Sequence, residues 1–167
     1  DLPNREPAIA ARWDSLGVYA RLRAERKGAP TFTFHDGPPY ANGDLHIGHV
    51  LNKSLKDFVV RHRSMLGMDA PMVPGWDCHG LPIEHRVMKE AGNEARNLSP
   101  TEIRDRCRTY ASHFLDLHRT QLKRLGCTGD FEQPYATMDP SYEDGVLSVF
   151  QALVEKGFVT RDKRSTA

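Results

Sequence analysis

At 167 residues, 39% of them hydrophobic, the chain is long enough for one domain with a real core. Twenty-three Lys and Arg against 22 Asp and Glu leave a formal charge of +1, so a nucleic-acid partner is not announced by overall charge. No apolar run approaches the roughly 20 residues that span a bilayer. Residues 1–6 lack the apolar core of a signal peptide. The three cysteines, Cys78, Cys107 and Cys127, include no Cys-x-x-Cys pair, which argues against a disulfide framework or zinc ribbon and for a reducing, cytosolic setting.

Apolar residues at mixed helical spacings (Ala8, Ile9, Trp13, Leu16, Tyr19, Leu22) predict a first helix over Pro7–Ala24, closed by the breaker Lys27-Gly28-Ala29-Pro30. Thr31-Phe32-Thr33-Phe34 reads as a short strand. The nine residues 35–43 that follow, His-Asp-Gly-Pro-Pro-Tyr-Ala-Asn-Gly, are too rich in Gly and Pro for helix or strand. A helix is predicted from Ile47 to Met65, with Val50, Leu51, Leu55, Phe58 and Val59 at helical spacing, and Gly67 ends it. A second strand, Ala70–Val73, feeds a second loop, Pro74–Pro82. Three helices complete the pattern: Ile83–Ala91, Pro100–Leu125 and Tyr142–Lys156. Ser99 and Glu102 form a capping box at the start of the second of these, with Pro100 at its first position. Strand, glycine loop, helix, repeated, is the grammar of a parallel α/β sheet, whose ligands sit at the carboxyl ends of the strands.

Both loops carry candidate chemistry. His46-Ile47-Gly48-His49 opens the long helix, so its two imidazoles share a face beside the positive end of the helix dipole, where anions are attracted. Gly48 leaves room for a flat group such as a purine. Pro38, Pro39 and the turn pair Asn42-Gly43 bend the preceding loop into a cradle suited to a nucleotide. A satisfied or surface histidine pair is the plainer alternative. In the second loop Asp77, flanked by Gly75 and Gly80, suits a substrate ammonium; its plainer reading is an Asx-turn beside a packed Trp76. His46, His49, Asp77, Cys78 and His79 are also zinc-donor types, which keeps a metal-dependent hydrolase as a distant alternative. No His-Glu-x-x-His occurs, however, and adjacent Asp, Cys and His cannot all face one ion. On the helix over 100–125, Arg104, Arg106, Arg108, Arg119, Lys123 and Arg124 interleave with acids and read as a solvated face. Phe114, Leu115, Leu122 and Leu125 read as core.

These motifs resemble the class I aminoacyl-tRNA synthetases, which carry the His-Ile-Gly-His tetrapeptide at the first strand–helix junction of a Rossmann-type domain. Residues 35–43 with Leu45, Leu51-Asn52-Lys53, Lys56-Asp57, the loop 74–84 and Pro134–Asp139 are most similar to the isoleucyl type. The second loop differs from the Thr-Asp-His-Ala-Gly of valyl and the Trp-Asp-Ala-Phe-Gly of leucyl types, which stay as more distant alternatives.

The resemblance implies an α/β fold, the first half of a Rossmann-type parallel sheet with flanking helices. Residues 1–28 would form a helical extension and 29–167 the half-domain, ending near an editing-domain insertion. It implies ATP- and Mg2+-dependent activation of isoleucine to its adenylate and transfer to tRNA(Ile). His46 and His49 would be catalytic and would contact ATP phosphates. Ile47, Gly48, Asn42 and Gly43 would complete the ATP site, Gly48 lying against adenine. Gly37 and Pro38 would line the amino-acid pocket, and Asp77 would hold the α-ammonium. No metal-ligating residue is implied. The second signature, Lys-Met-Ser-Lys-Ser, is absent, and Lys163-Arg164-Ser165-Thr166-Ala167 matches it poorly. Thr160–Ala167 also departs from the family's usual Lys-Pro-Val-x-Trp strand. Editing and anticodon recognition would therefore lie elsewhere. A non-catalytic nucleotide-binding or interaction piece that pairs with the missing half of the domain is the alternative within the family.

Overall fold

The computed structural model describes residues 1–163; the second half of the tail Thr160–Ala167, residues 164–167, lies outside them. In chain order the elements are α1 (Leu2–Leu16), α2 (Val18–Glu25), α3 (Ile47–Met65), β1 (Gly75–Trp76) and α4 (Leu81–Ala91). A 3-10 turn (Gly92–Asn97), α5 (Pro100–Arg124), β2 (Tyr135–Ala136) and α6 (Pro140–Glu155) follow.

Three segments run parallel, with residues 69–77 in the middle. On one side, the Asp69 N–H donates to Pro30 O (2.9 Å) and the Phe32 N–H to Asp69 O (2.8 Å). Farther along, the Asp77 N–H donates to Pro39 O and the Ala41 N–H to Asp77 O, both at 2.8 Å. On the other side Gly75 and Trp76 pair with Tyr135 and Ala136. The predicted parallel α/β arrangement is present, but its strands are shorter and placed differently. Thr31 makes only an isolated bridge, and the regular pairing falls on Gly75–Trp76, inside the predicted second loop, instead of Ala70–Val73. Prolines explain this: Pro30, Pro38, Pro39, Pro71 and Pro74 offer no N–H, so the ladder is interrupted wherever one falls.

Gly75 is needed where it stands. A Cβ there would lie 2.1 Å from the Tyr135 ring, which covers the glycine and donates its hydroxyl to Asp36 O at 3.1 Å.

The helices start where proline and capping chemistry place them. Ser99 and Glu102 form the capping box of α5, and Pro82 and Pro140 occupy the first turns of α4 and α6. The predicted first helix breaks into two at Gly17, and neither half buries a residue. Of its expected contacts, only Tyr19 and Leu22 are half-buried; Ala8, Ile9, Trp13 and Leu16 are exposed. Polar ties dock this region instead: the Tyr19 hydroxyl bonds both the N–H and the carbonyl of Met72, Arg23 pairs with Asp69, and Arg124 reaches Glu6 at 2.9 Å.

The main core packs α4 and α5 under the sheet around Trp76, Ile83, Val87, Ala111, Leu115 and Leu122. A smaller cluster joins Val60, Ala70 and Met72 to Phe32 and Phe34. Leu125, expected in the core, is exposed just past the end of α5, and Phe114 is half-buried. The basic residues of α5 are exposed or half-buried, several in ion pairs such as Arg106–Glu94 and Lys123–Glu132, while the Arg119 Nε is buried with no partner among the described residues. On α3 most of the residues at helical spacing face outward, Val50 alone being half-buried. Leu51, Leu55, Phe58 and Val59 are exposed, and Lys53, Val60 and Ser64 are buried instead. α6 likewise buries no residue, although Val146, Leu147, Phe150 and Leu153 make one side strongly apolar.

Replacing Leu122 with Ala should lower the unfolding free energy of this chain by about 3 kcal/mol in urea titrations, because a fully packed site collapses poorly. Phe150→Ala on α6, although it removes a larger side chain, should change it by less than about 0.5 kcal/mol, as expected of an exposed position.

Candidate functional site

The site begins with a buried charge. Asp36, its side chain only 1% exposed, forms ion pairs with Lys53 and with Lys56 (2.5 Å), both on α3. Lys53 and Lys56 are three residues apart, so they share a helix face and can close on one carboxylate. Burial lowers the Lys53 pKa even though Asp36 pushes the other way. The pair thus ties the first residues of the loop 35–43 to α3.

The loop ends at His46, the N-cap of α3. The His46 Nδ1 accepts the Gly48 N–H at 3.1 Å, and the His49 Nδ1 accepts the His46 N–H at 3.3 Å, a reciprocal capping box built from two imidazoles. Their ring centroids are 3.9 Å apart. A nitrogen that accepts carries no proton, so in each neutral ring the proton sits on Nε2, the atom left free to donate. Burial lowers the His49 pKa, with further lowering from His46, His118 and Lys53, which favours its neutral form. At this helix end the Gly48 N–H is already capped, and the two Nε2–H groups add donor capacity toward an anion. Gly48 has an added role. A Cβ there would sit 2.9 Å from the His46 ring, so glycine makes room for the cap itself. Ile47 points to solvent.

Asp77 lies beside the same loop, bonded through its backbone to Pro39 and Ala41. Its Oδ1 accepts the His79 N–H at 3.3 Å, the Asx-turn of the plainer reading, next to the fully buried Trp76. The Thr137 hydroxyl is 3.4 Å from the same oxygen, and the Cys78 N–H donates to that hydroxyl at 2.8 Å. Gly37 is exposed and Pro38 half-buried at the loop's start. At its end, the Asn42 Oδ1 accepts from the Tyr110 hydroxyl at 2.8 Å, and Gly43 O lies 2.6 Å from the His118 Nε2.

Asp77 therefore lies beside Pro39–Ala41, and the same loop runs on to His46 and His49 at the head of α3. The metal alternative loses its basis in geometry. Among the described residues no group of three or more His, Cys, Asp or Glu could hold a metal ion. The Cys78 thiol lies 3.6 Å from Trp76 O, and burial raises its pKa.

Sequence reasoning missed Asp36, Lys53, Lys56, Thr137 and the α5 residues Tyr110, His118 and Gln121 as parts of this site. One signal was present for His118. Ala111, Leu115, His118 and Leu122 form a 4-3-4 core stripe, and a histidine in such a stripe needs a partner.

Residues 8–167 match the family model described as tRNA synthetases class I (I, L, M and V). Isoleucine–tRNA ligases of Kosmotoga olearia and Thermotoga maritima are 50% and 51% identical to this chain over 161 residues, 96% of its length. The chain spans only 18% of the length of those relatives. A solved ternary complex, Agrobacterium radiobacter K84 agnB2 LeuRS-tRNA-LeuAMS, superposes with a TM-score of 0.74 at 25% identity, covering 95% of this chain and 18% of that one.

The histidines have a consequence for stability. Burial also lowers the His118 pKa, against the opposing pull of Gly43 O and Asp44. With folded values below the usual imidazole pKa of about 6.5, the unfolded chain binds protons first as pH falls. Stability should therefore decline as pH drops below about 6.5 and level off below the folded pKa values. Thermal midpoints measured between about pH 7.5 and 5.5 check this, and His118→Gln should flatten the decline.

Proposed function

This chain belongs to the class I tRNA synthetase family of the isoleucine, leucine, methionine and valine enzymes, and on that premise we propose that it holds the adenylate-forming half-site of an isoleucine–tRNA ligase. Residues 1–28 are assigned to a helical extension and 29–167 to the first half of the Rossmann-type catalytic domain. The substrates are isoleucine and ATP, with tRNA(Ile) met mostly by regions outside this chain, in a cytosolic enzyme. No helix among the described residues is long and apolar enough to cross a membrane. The isoleucine assignment is supported by Trp76-Asp77-Cys78-His79-Gly80 and by about 50% identity to isoleucine–tRNA ligases.

The observation that carries the reading is the pair of imidazoles at the start of α3. Their Nδ1 atoms are spent on the cap, and their Nε2–H groups are free beside the positive end of a 19-residue helix. In the proposed reaction a carboxylate oxygen of isoleucine attacks the α-phosphorus of ATP, an oxygen–phosphorus bond forms, and pyrophosphate leaves with the electrons of the broken bond. The amino acid is itself the nucleophile, so the protein need not activate a side chain. Its part is to align the reactants and stabilise charge gathering on the phosphate oxygens.

His46 and His49 act here as preorganised donors. Gly48 and Ile47, with Asn42 and Gly43, form the backbone edge against ATP. Gly37 and Pro38 flank the amino-acid side chain, and Asp77 pairs with its ammonium. Mg2+ would enter with ATP, held mainly by its phosphates, as is usual for that ion. The uncovered apolar sides of α3 and α6 favour one second reading, a piece that binds nucleotide without turning it over until another half-domain covers them.

Isoleucine-dependent exchange of labelled pyrophosphate into ATP tests the proposal, with valine and leucine alongside. His46→Ala and His49→Ala should each reduce exchange about 100-fold while ATP binding weakens much less, as for donors that act mainly in the transition state. Asp77→Ala should raise the isoleucine requirement and spare ATP binding. Absence of exchange in chain that is folded and binds ATP would instead support the second reading.

A further inference from the structure

We infer that one face of α5, through Tyr110, His118 and Gln121, is the positioning element that sets the histidine pair of α3. The inference rests on the proposed adenylate site for its functional meaning and on geometry for its existence. The three side chains engage four consecutive loop residues in the same order as the chain runs. The Tyr110 hydroxyl donates to the Asn42 Oδ1 at 2.8 Å, and the His118 Nε2 lies 2.6 Å from Gly43 O. The Gln121 amide uses both ends, donating to the Asp44 Oδ1 at 3.0 Å and accepting the Leu45 N–H at 3.2 Å. Residue 45 is followed at once by His46, the N-cap. On a helix these positions fall within a sector of about 80°, so they form one ridge.

His118 is the centre of the ridge. It is fully buried, within the core stripe of α5, where an apolar residue would otherwise be expected. A carbonyl only accepts, so the His118 Nε2 carries the proton and Nδ1 does not. That Nδ1 is buried with no partner among the described residues. A polar ring kept there with one nitrogen unsatisfied is costly, and the contact it does make fixes Gly43. The His118 and His49 rings are 6.4 Å apart, so a shift of this support reaches the pair directly.

The test uses this chain with His118→Leu, His118→Gln and Gln121→Ala, each first shown folded by circular dichroism. Gln places an amide N–H near the position of the imidazole Nε2, so it is the conservative variant. Nitrogen NMR of His46 and His49 reads their tautomers and ring environment without any turnover. Pyrophosphate exchange reads the reaction.

His118→Leu and Gln121→Ala should shift the His46 and His49 signals away from the Nε2–H pattern and lower the exchange rate at saturation about tenfold, leaving the isoleucine KM within about twofold. His118→Gln should restore most of both. If the parent chain shows no exchange, the adenylate reading fails for this chain, and the NMR signals alone decide the positioning role. Unchanged His46 and His49 signals in both His118→Leu and Gln121→Ala would overturn it. So would a His118→Gln variant as displaced as His118→Leu. Should His118→Leu fail to fold, Gln121→Ala carries the same comparison.

Discussion

A carboxylate almost wholly removed from water is the constraint around which the site is arranged. Asp36 has a 1% exposed side chain and stays there because Lys53 and Lys56 approach it from one face of α3. A lone buried charge is prohibitive, whereas a paired one is tolerable when geometry and hydrogen bonds are good. The pair couples the entry of the loop 35–43 to α3, and the capping imidazoles at the start of that helix sit at the loop's exit. Between these anchors Ala41 is fully buried and bonded to Asp77 O. A loop rich in proline and glycine thus acquires a defined path without regular secondary structure.

The same economy appears in the sheet. Five prolines interrupt the hydrogen-bond ladder, and the pairing that remains is short. Side chains stand in for missing backbone bonds: Tyr135 covers Gly75 and reaches Asp36 O, Thr137 accepts the Cys78 N–H, and Tyr19 closes on Met72. Such a sheet is held by its cross-links more than by its ladder. The apolar sides of α3 and α6 stay exposed, since nothing among the described residues covers them.

The histidine pair illustrates how a motif acquires chemistry from its surroundings. Two imidazoles three residues apart could be metal ligands, a surface pair or an anion site. The cap commits both Nδ1 atoms to backbone N–H groups and so selects the tautomer that donates from Nε2. The rings are thus satisfied on one side, as in the plainer reading, and keep a donor on the other. Asp77 behaves alike, its Oδ1 closing an Asx-turn within a local network.

Local chemistry made much of this legible from residues alone. The α3 start and the α5 capping box depend on neighbours within a turn, and the two glycine loops announced themselves by composition, whereas Pro82 and Pro140 open α4 and α6 earlier than the apolar spacing placed them. The motif runs also pointed to the family. What depended on distant partners was not legible. Nothing local says that Lys53 and Lys56 neutralise Asp36, that Tyr110, His118 and Gln121 hold the loop before His46, or that the apolar side of α3 faces out. Hydrophobic periodicity reports that a helix has an apolar face but not whether anything covers it, and a buried charge or histidine is acceptable only once its partner has been brought to it. Sequence determined the elements and the chemistry available; the packing of α3 and α5 on the loop decided which groups were joined, because those contacts span from 17 to 77 residues of chain.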